Sequence, residues 1–324
     1  MRAVVVENYT AIDQIVLKDV PIPDLSPGSV RVRVRAVGIG FVDGLKVQGL
    51  YQTKDPLPFI PGTEFAGEVE AVADGVTGYV PGTRVMGMLR SGALAEFVVV
   101  PPEALRRLPD GVSAEAGASF RANYLTAHYS LTERASLRAG EQLLVLGAAG
   151  GVGTAAIQLG KILDARVIAA ASTEEKRRFA LDLGADAAID YTRADWRDEL
   201  KTLTDGHGCD VIVDPVGGPV SLEAFRSIAW KGRHLVIGFA AGSIPALPFN
   251  LPLLKGAQLM GVDLAQVPRR EPEAYQRVTG DLFRLLSAGQ LQPAVGQVFD
   301  LTDFRDAFKT LSGRQALGKV VVRV

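Results

Sequence analysis

The sequence predicts an α/β protein of two domains, a doubly wound parallel sheet in the middle of the chain and a mainly β domain built from both ends. Its 324 residues exceed the size at which one hydrophobic core keeps growing. Strand and helix patterns alternate from Gln142 to Ile237, which is typical of parallel strands joined by helical crossovers. We expect residues 122–256 to form the parallel-sheet domain, and residues 1–121 with 257–324 to form the other domain.

Composition and charge exclude several classes of partner. Basic and acidic side chains number 35 and 36 and form no long run of one sign, so neither nucleic acid nor a membrane surface is an expected partner. The apolar stretch after Met1 is too short for a signal peptide. The single cysteine, Cys209, excludes an intrachain disulfide and a zinc site made of several thiolates. We therefore expect a cytoplasmic protein.

The two ends of the chain carry strand patterns interrupted by Pro and Gly. Strands are predicted at 3–6, 29–37, 67–72, 84–88 and 96–100. The stretch from Gly38 to Tyr51 permits a short helix and is a candidate active-site segment. After Lys255 the pattern becomes mixed again, with strands near 258–262, 295–299 and 319–324 and helices at 273–286 and 303–311. Because chain termini often lie close together, we expect this tail to complete the N-terminal module.

The middle of the chain begins with a helical stretch that Ser113 caps, with Glu115 in its first turn. Strands and helices then alternate in the way a parallel sheet requires. The predicted strands are 142–146, 166–170, 187–189, 211–213 and 234–237, and the predicted helices are 152–163, 173–183, 196–203 and 221–228.

A glycine-rich turn, Gly147-Ala148-Ala149-Gly150-Gly151-Val152-Gly153, joins the first of these strands to the first helix. A dinucleotide-binding turn needs small residues where the backbone meets the pyrophosphate, and a helix N-terminus whose N–H groups face the anion. Ala148, Gly150 and Gly153 occupy these positions, and Gly151 and Val152 open the helix. The turn predicts a Rossmann-type cofactor site, the alternative being a glycine turn that only packs a helix.

The end of the second strand indicates which dinucleotide binds. A site for NAD usually has an acid there to accept the ribose hydroxyls, whereas this chain has Ala171 and Ser172. Ser172, Lys176 and Arg177 offer a hydroxyl and two cations to a 2′-phosphate. The sequence therefore favours NADPH, although these cations could also form a solvated helix face paired with Glu174 and Glu175.

Several motifs along nearly the whole chain resemble one known family. They are Pro61 to Val69, Gly82 to Val85, Leu125 to Ala127, the glycine turn, Asp210 to Gly218, and Gly318 to Val321. With these motifs the sequence resembles the medium-chain dehydrogenase/reductase superfamily, and within it the zinc-independent NADPH:quinone oxidoreductases that include zeta-crystallin. The resemblance implies a GroES-like catalytic domain made from both chain ends, and a Rossmann domain for NADPH.

The resemblance also implies individual cofactor contacts. By similarity Lys176 and Tyr191 join Ser172 around the 2′-phosphate, and Thr126 approaches the nicotinamide. Tyr191 could instead cover the core, and Thr126 could bond its own backbone. Further contacts assigned to the cofactor are Gly238, Phe239 and Lys319.

A metal site is not expected. Zinc-dependent relatives have a catalytic cysteine early in the chain and a histidine in a Gly-His-Glu motif. Here Thr63 stands at the histidine position and Gly40 to Asp43 at the cysteine segment. The three histidines, at 128, 207 and 234, show no ligand spacing and are expected to be surface or packing residues.

Two reactions fit the early active-site segment. Quinone-reductase relatives often carry Asn-x-x-Asp, which is Gly40-Phe41-Val42-Asp43 here, so Asp43 is kept as a catalytic candidate with Thr126. The following Gln48-Gly49-Leu50-Tyr51 resembles enoyl-thioester reductases, in which the tyrosine helps to donate a proton. We predict a quinone as acceptor, with an enone or enoyl thioester reduced through Tyr51 as the alternative.

Further questions stay open at this stage. The chain could bind NADPH without turnover, in a structural or sensing role. Family members commonly pair the edge strands of their Rossmann sheets, so we expect a homodimer.

Overall fold

The computed structural model describes all 324 residues and contains two compact units. The terminal unit comprises Met1–Ala122 and Gln292–Val324, and the central unit comprises Asn123–Leu291. The first boundary lies next to the expected one, but the second falls at 291 rather than 256. Residues 257–291 differ from the expectation because their strand, Gln258–Gly261, pairs with Ile228–Val236 and extends the parallel sheet.

The strands are β1 Arg2–Val5, β2 Val16–Asp19, β3 Val30–Ile39, β4 Glu64–Val72, β5 Arg84–Met88, β6 Phe97–Val100, β7 Leu105–Arg107, β8 Gln142–Leu146, β9 Arg166–Ala170, β10 Ala187–Ile189, β11 Cys209–Asp214, β12 Ile228–Val236, β13 Gln258–Gly261, β14 Val295–Asp300 and β15 Lys319–Arg323. The α-helices are α1 Phe41–Val47, α2 Ala114–Gly117, α3 Arg121–Tyr129, α4 Gly151–Ile162, α5 Glu174–Asp182, α6 Trp196–Leu203, α7 Gly218–Arg226, α8 Asn250–Lys255, α9 Val267–Arg270, α10 Pro272–Ser287 and α11 Phe304–Ser312.

The terminal unit is built on a seven-stranded sheet that both chain ends share. Its order is β14-β15-β3-β4-β5-β7, and β6 pairs with β3. The closing strand β15 lies inside this sheet, antiparallel to β3, with Val321 opposite Gly38. Its three valines are fully buried, and Val320 and Val322 belong to the same core as Phe65 and Phe304. Of the tail after Lys255, residues 292–324 therefore belong with the N-terminal module, whereas residues 257–291 belong to the central unit.

The central unit contains a six-stranded parallel sheet in the order β10-β9-β8-β11-β12-β13. From β8 the chain builds outward through β9 and β10, and then crosses to the other side for β11, β12 and β13. The direction therefore reverses between β8 and β11, and such a switch point is where open α/β sheets bind ligands. Leu143 to Leu146 of β8 are fully buried, as expected for a strand that helices cover. This arrangement confirms the predicted doubly wound sheet.

None of the helices combines the length and the apolar composition that a membrane span requires.

Candidate functional site

The glycine turn lies at the carboxyl end of β8, at the switch point of the sheet. Gly147 has a φ of +59°, and a Cβ there would lie 2.9 Å from a methyl carbon of Val216. Gly153 is in the first turn of α4, where a Cβ would lie only 2.4 Å from the carbonyl oxygen of Gly147. Both positions exclude side chains, so the helix packs directly against the turn.

The N-terminus of α4 is suited to an anion. Gly150 is its N-cap, and the first turn contains no acidic residue. The first N–H groups of a helix have no acceptor within the helix, and they carry the positive end of its dipole. Together with the small Ala148, Gly151 and Val152 thus form a turn that can hold a pyrophosphate.

A second turn lies beside the first, where β11 leads into α7. Asp214 at the end of β11 accepts hydrogen bonds at Oδ1 from the amides of Val216 and Gly217, each 2.9 Å away. Its other oxygen accepts from the hydroxyl of Ser221 and lies 3.0 Å from His234 Nε2. Burial alone would raise the pKa of Asp214, but these donors, led by His234, lower it. The carboxylate therefore stays charged and fixes the turn.

The sequence reasoning missed this network of Asp214, Ser221 and His234. His234 was expected to be a surface or packing residue; it is buried and stacks on Phe225, with ring centroids 5.7 Å apart. Its partner lies 20 residues earlier in the chain, so only the pairing of β11 with β12 could have revealed the contact.

The predicted 2′-phosphate residues lie at the carboxyl end of the parallel sheet, as the glycine turn does. Ser172 follows β9 and Tyr191 follows β10, and these two strands pair with Ala170 opposite Ile189. Lys176 lies in the first turn of α5, where its amide donates to the capping hydroxyl of Thr173. The three side chains are half-buried, and Tyr191 also packs on the core of the central unit, which was the alternative considered for it.

The sequence offered Arg177 as a cation for the 2′-phosphate, but its guanidinium is bound by groups of the protein itself. Its guanidinium lies 2.8 Å from Asp190 and also donates to the carbonyl of Ala171. Asp190 in turn accepts two hydrogen bonds from Thr192. Arg177 therefore stabilises the ends of β9 and β10.

Three further cofactor candidates, Gly238, Phe239 and Thr126, lie on the central unit. Gly238 and Phe239 follow β12, and the ring of Phe239 lies where a Cβ on Gly217 would point, 2.8 Å away. The segment is tied to the second turn, because the Ala240 amide donates to the carbonyl of Pro215. Thr126 is half-buried on α3, and its carbonyl accepts a hydrogen bond from Ser130.

The terminal unit contributes a buried group of charges around α1. Asp43 is 1% exposed, and its Oδ2 accepts from the Gly40 amide at 2.7 Å, which closes the start of the helix. Glu64 is fully buried, accepts from the Ala122 amide at 3.1 Å, and lies 3.3 Å from the ammonium of Lys319. Burial raises the pKa of both carboxyls, although Lys319 opposes that shift at each of them.

Lys319 therefore lies among acids of the terminal unit, with only 5% of its surface exposed. Its ammonium nitrogen is 3.6 Å from the point where a Cβ on Gly40 would lie, and the Asp43 carboxylate is 3.4 Å from that point. This placement gives Lys319 the role of countercharge to Asp43 and Glu64. Its assignment to the cofactor stays a prediction that these contacts do not support.

Tyr51 lies in the loop that follows α1 and is half-buried. Gly49 precedes it with a φ of +67°, and packs against the ring of Tyr9, which lies 2.8 Å from the position a Cβ would take. Asp43 in α1 and Tyr51 in the loop after it thus belong to one helix–loop segment.

The residues do not fit a zinc ion. By resemblance Thr63 stands at the histidine position and residues 40–43 at the cysteine segment of zinc-dependent relatives, and none of these residues supplies a thiolate or an imidazole. No group of three or more His, Cys, Asp and Glu side chains is placed to bind a metal. Cys209 is buried in the central core, and burial raises the pKa of its thiol far above its usual range, as in an unreactive structural cysteine.

Comparisons with known proteins agree with this geometry. Residues 26–110 match the family described as alcohol dehydrogenase GroES-like domain, and residues 151–280 match the one described as zinc-binding dehydrogenase. Quinone oxidoreductase-like protein 2 of Bos taurus is 36% identical over 95% of this chain and 88% of its own.

Solved structures of similar proteins cover the whole chain. The quinone oxidoreductase of Thermus thermophilus, which was also solved with NADPH, is 37% identical over the full length of both chains, with a TM-score of 0.86. The CurK enoyl reductase is 26% identical, with a TM-score of 0.89 over 99% of this chain and 98% of its own.

Proposed function

The chain belongs to the quinone oxidoreductase family of zinc-independent medium-chain dehydrogenases/reductases, and from that premise we propose that it is a cytoplasmic, NADPH-dependent reductase of quinones. One observation carries the proposal: the glycine turn lies at the switch point, beside a β9 end that has Ser172 and Lys176 instead of an acid. Membership of this family also favours an enzyme over an NADPH-binding protein without turnover.

The residues that would hold NADPH follow from the central sheet. The N-terminus of α4 would take the pyrophosphate, and Ser172, Lys176 and Tyr191 would surround the 2′-phosphate. Thr126, Gly238 and Phe239 would contact the remainder of the cofactor. When bound, NADPH supplies the hydride. The NADPH complex of the Thermus thermophilus relative supports this assignment.

Reduction of a quinone requires little acid–base chemistry from the protein. Hydride transfer depends mainly on holding the donor and an electron-poor acceptor together, and the reduced quinone can take protons from solvent. Gly40 has no side chain, and both the Asp43 carboxyl and the Lys319 ammonium lie close to the point where its Cβ would be. We propose that Asp43, whose pKa burial raises, is the polar group that faces the acceptor.

Reduction of an activated C=C bond is the second candidate, and Tyr51 favours it. After hydride addition to an enone or enoyl thioester, a carbon atom must gain a proton, and a phenol with a pKa near 10 can donate it. The similarity to the CurK enoyl reductase supports this reading. The two candidate reactions differ in how they should respond to one substitution, Tyr51→Phe.

We expect Tyr51→Phe to separate them. If Tyr51 is the proton donor, the kcat for an enone or enoyl thioester falls roughly 100-fold or more, whereas the kcat for a quinone changes less than about twofold. The measurement is the loss of nicotinamide absorbance with a panel of quinones, enones and enoyl-CoA esters. Tyr79→Phe is the matched control, since the Tyr79 hydroxyl lies 3.5 Å from the Pro102 carbonyl, outside the α1 segment.

Equal rates of Tyr51→Phe and the wild type on every acceptor would remove Tyr51 from the mechanism. A wild-type protein that oxidises NADPH with enones but with no quinone would contradict the first proposal and leave the second in place.

We also propose a homodimer formed through β13. This strand is one of the two edge strands of the central sheet, and an unpaired edge invites pairing with a second copy. Large apolar side chains on or near it are exposed: Leu259 at 51%, Trp230 at 66%, Leu253 at 78% and Phe249 at 91%. A two-fold contact at this edge would cover them.

A further inference from the structure

Three charged side chains meet beneath the loop that carries Tyr51. The loop runs from Leu50, after α1, to Asp55, whose side chain is 2% exposed. One carboxylate oxygen of Asp55 lies 3.4 Å from the ammonium of Lys46, which is 6% exposed on α1. The other oxygen accepts a hydrogen bond from Nε of Arg90, which follows β5. We name these residues the Asp55 cluster.

The same residues also hold the backbone of the loop. Arg90 donates through a second nitrogen to the carbonyl of Lys54 at 2.7 Å, and Lys46 donates to the carbonyl of Arg90. The hydroxyl of Tyr9 donates to the carbonyl of Asp55 at 2.6 Å. The C-terminal end of the loop is therefore fixed by both side-chain and main-chain contacts.

The N-terminal end of the loop is fixed to α1 itself. The amide of Leu50 donates to the carbonyl of Leu45 at 2.8 Å, and Gly49 packs on the ring of Tyr9. Tyr51 thus lies in a short segment whose two ends are anchored to one helix, through Leu45 at one end and Lys46 at the other. A short anchored loop has few conformations open to it.

A gain in folding stability does not explain why charged side chains are buried in this cluster. Replacing a buried ion pair by apolar side chains is often neutral or stabilising, because the two charges lose their hydration. A carboxylate with directed partners does, however, fix a single geometry, which an apolar contact does less well. The arrangement thus points to a need for precision at this loop.

We propose that Asp55 is a positioning residue that, through Lys46 and Arg90, holds the loop so that the Tyr51 hydroxyl is in place to donate its proton. This inference rests on the proposed role of Tyr51 in reduction of an activated C=C bond. Asp55 itself does not touch the acceptor. Its removal lets the loop move, and misplacement of a catalytic group by about 1 Å can lower a rate up to 100-fold.

The experiment combines Asp55→Asn and Arg90→Ala with Tyr51→Phe in a double-mutant cycle. Arg90 is 60% exposed, so its removal tests the cluster even if Asp55→Asn folds poorly. The control is Glu68→Gln, which breaks an exposed pair with Arg35, 3.1 Å apart, in the same unit. The kcat for an enone and for a quinone is measured for each variant, and amide hydrogen exchange is followed over residues 49–56.

We expect each cluster variant to lower the enone kcat roughly tenfold and the quinone kcat less than about twofold. In the Tyr51→Phe background the same changes should have no further effect, because the group they position is gone. Exchange over residues 49–56 should be faster in both cluster variants and unchanged in Glu68→Gln.

Two results would overturn the proposal in different ways. If exchange over residues 49–56 is unchanged, or if the enone effects of Asp55→Asn and Tyr51→Phe multiply, Asp55 does not position Tyr51, and the proposed function is untouched. If Tyr51→Phe alone has no effect on any acceptor, the proton-donor role fails first, and the positioning role fails with it.

Discussion

The carboxylate of Asp214 shows how a single side chain can fix a turn at the end of a strand. It accepts from two amides of the turn, from Ser221 and from His234, so each oxygen has two donors. A buried carboxylate loses its hydration, so it is stable only when hydrogen-bond donors of the protein take the place of water. Its contacts place the second turn against Gly147 of the glycine turn.

We therefore expect Asp214→Asn to lower the free energy of unfolding by about 3 kcal/mol at neutral pH, since one partner of a buried charged network is removed. Chemical denaturation of the variant and the wild type measures the difference. Asp306→Asn, which breaks an exposed pair with Lys309, should change stability by less than about 0.5 kcal/mol.

The same pair of proteins tests the pKa of Asp214. Because its folded pKa is lowered, the charged carboxylate stabilises the fold above the usual Asp range, near 3.9, and this contribution is lost as the pH falls through the lowered value. The difference between the variant and the wild type should thus shrink on acidification. A difference that grows in acid would contradict the assigned network.

The residue scale also shows what the sequence does not reveal. Asp43 and Tyr51 are predicted from short motifs, because the pattern that points to them lies within a few neighbouring residues. The pairing of Lys319 with Glu64 joins residues from opposite ends of the chain, and no local pattern encodes it. The Asp55 cluster was missed for the same reason, since Arg90 reaches Asp55 only through the folded sheet.

At the scale of elements, the direct contact between α4 and the glycine turn decides whether the helix N-terminus can face an anion. A Cβ on Gly153 would lie within 3 Å of backbone atoms of Gly147 and Ala148, which cannot rotate away as a side chain would. The helix would have to shift to accept it.

We expect Gly153→Ala to raise the Kd for NADPH at least about tenfold and to lower the free energy of unfolding by roughly 1–3 kcal/mol. Gly280→Ala is the matched control, because Gly280 lies within α10 with open space around its Cβ position. That change should stabilise the protein by about 0.5–1 kcal/mol and leave NADPH binding unchanged. Fluorescence titration with NADPH measures both variants, and an unaltered Kd in Gly153→Ala would contradict the predicted role of the turn.

The elements of the central sheet were predictable because each strand is a short apolar run between helices of regular period. The bounds of β8, β9 and β10 agree with the predicted ones. The membership of β13 was not predictable in the same way. Its residues form a strand pattern in either unit, and only the register with β12 assigns it to the central sheet.

At the scale of the whole molecule, the proposed pairing of the edge strand β13 determines whether the protein is a monomer or a dimer. Its mass is 34.4 kDa, so a dimer would be about twice that. We expect the wild type to sediment as a dimer, and Leu259→Lys, which places a charge on the β13 edge, to sediment as a monomer. Leu181→Lys, on the exposed side of α5, is the control and should stay dimeric. A wild-type protein that sediments as a monomer at all concentrations would refute the dimer.

We propose that this chain uses NADPH to reduce a quinone, and a comparison of NADPH with NADH on the wild-type protein tests both parts of that proposal. Nicotinamide fluorescence gives the two dissociation constants, and the absorbance of the reduced cofactor then reports turnover with a quinone. We predict that NADPH binds at least about tenfold more tightly than NADH, which is roughly 1.4 kcal/mol from the contacts of Ser172, Lys176 and Tyr191, and that its absorbance falls when the quinone is added. Equal affinity for the two cofactors, or tight binding of NADPH with no quinone-dependent loss of absorbance, would contradict it.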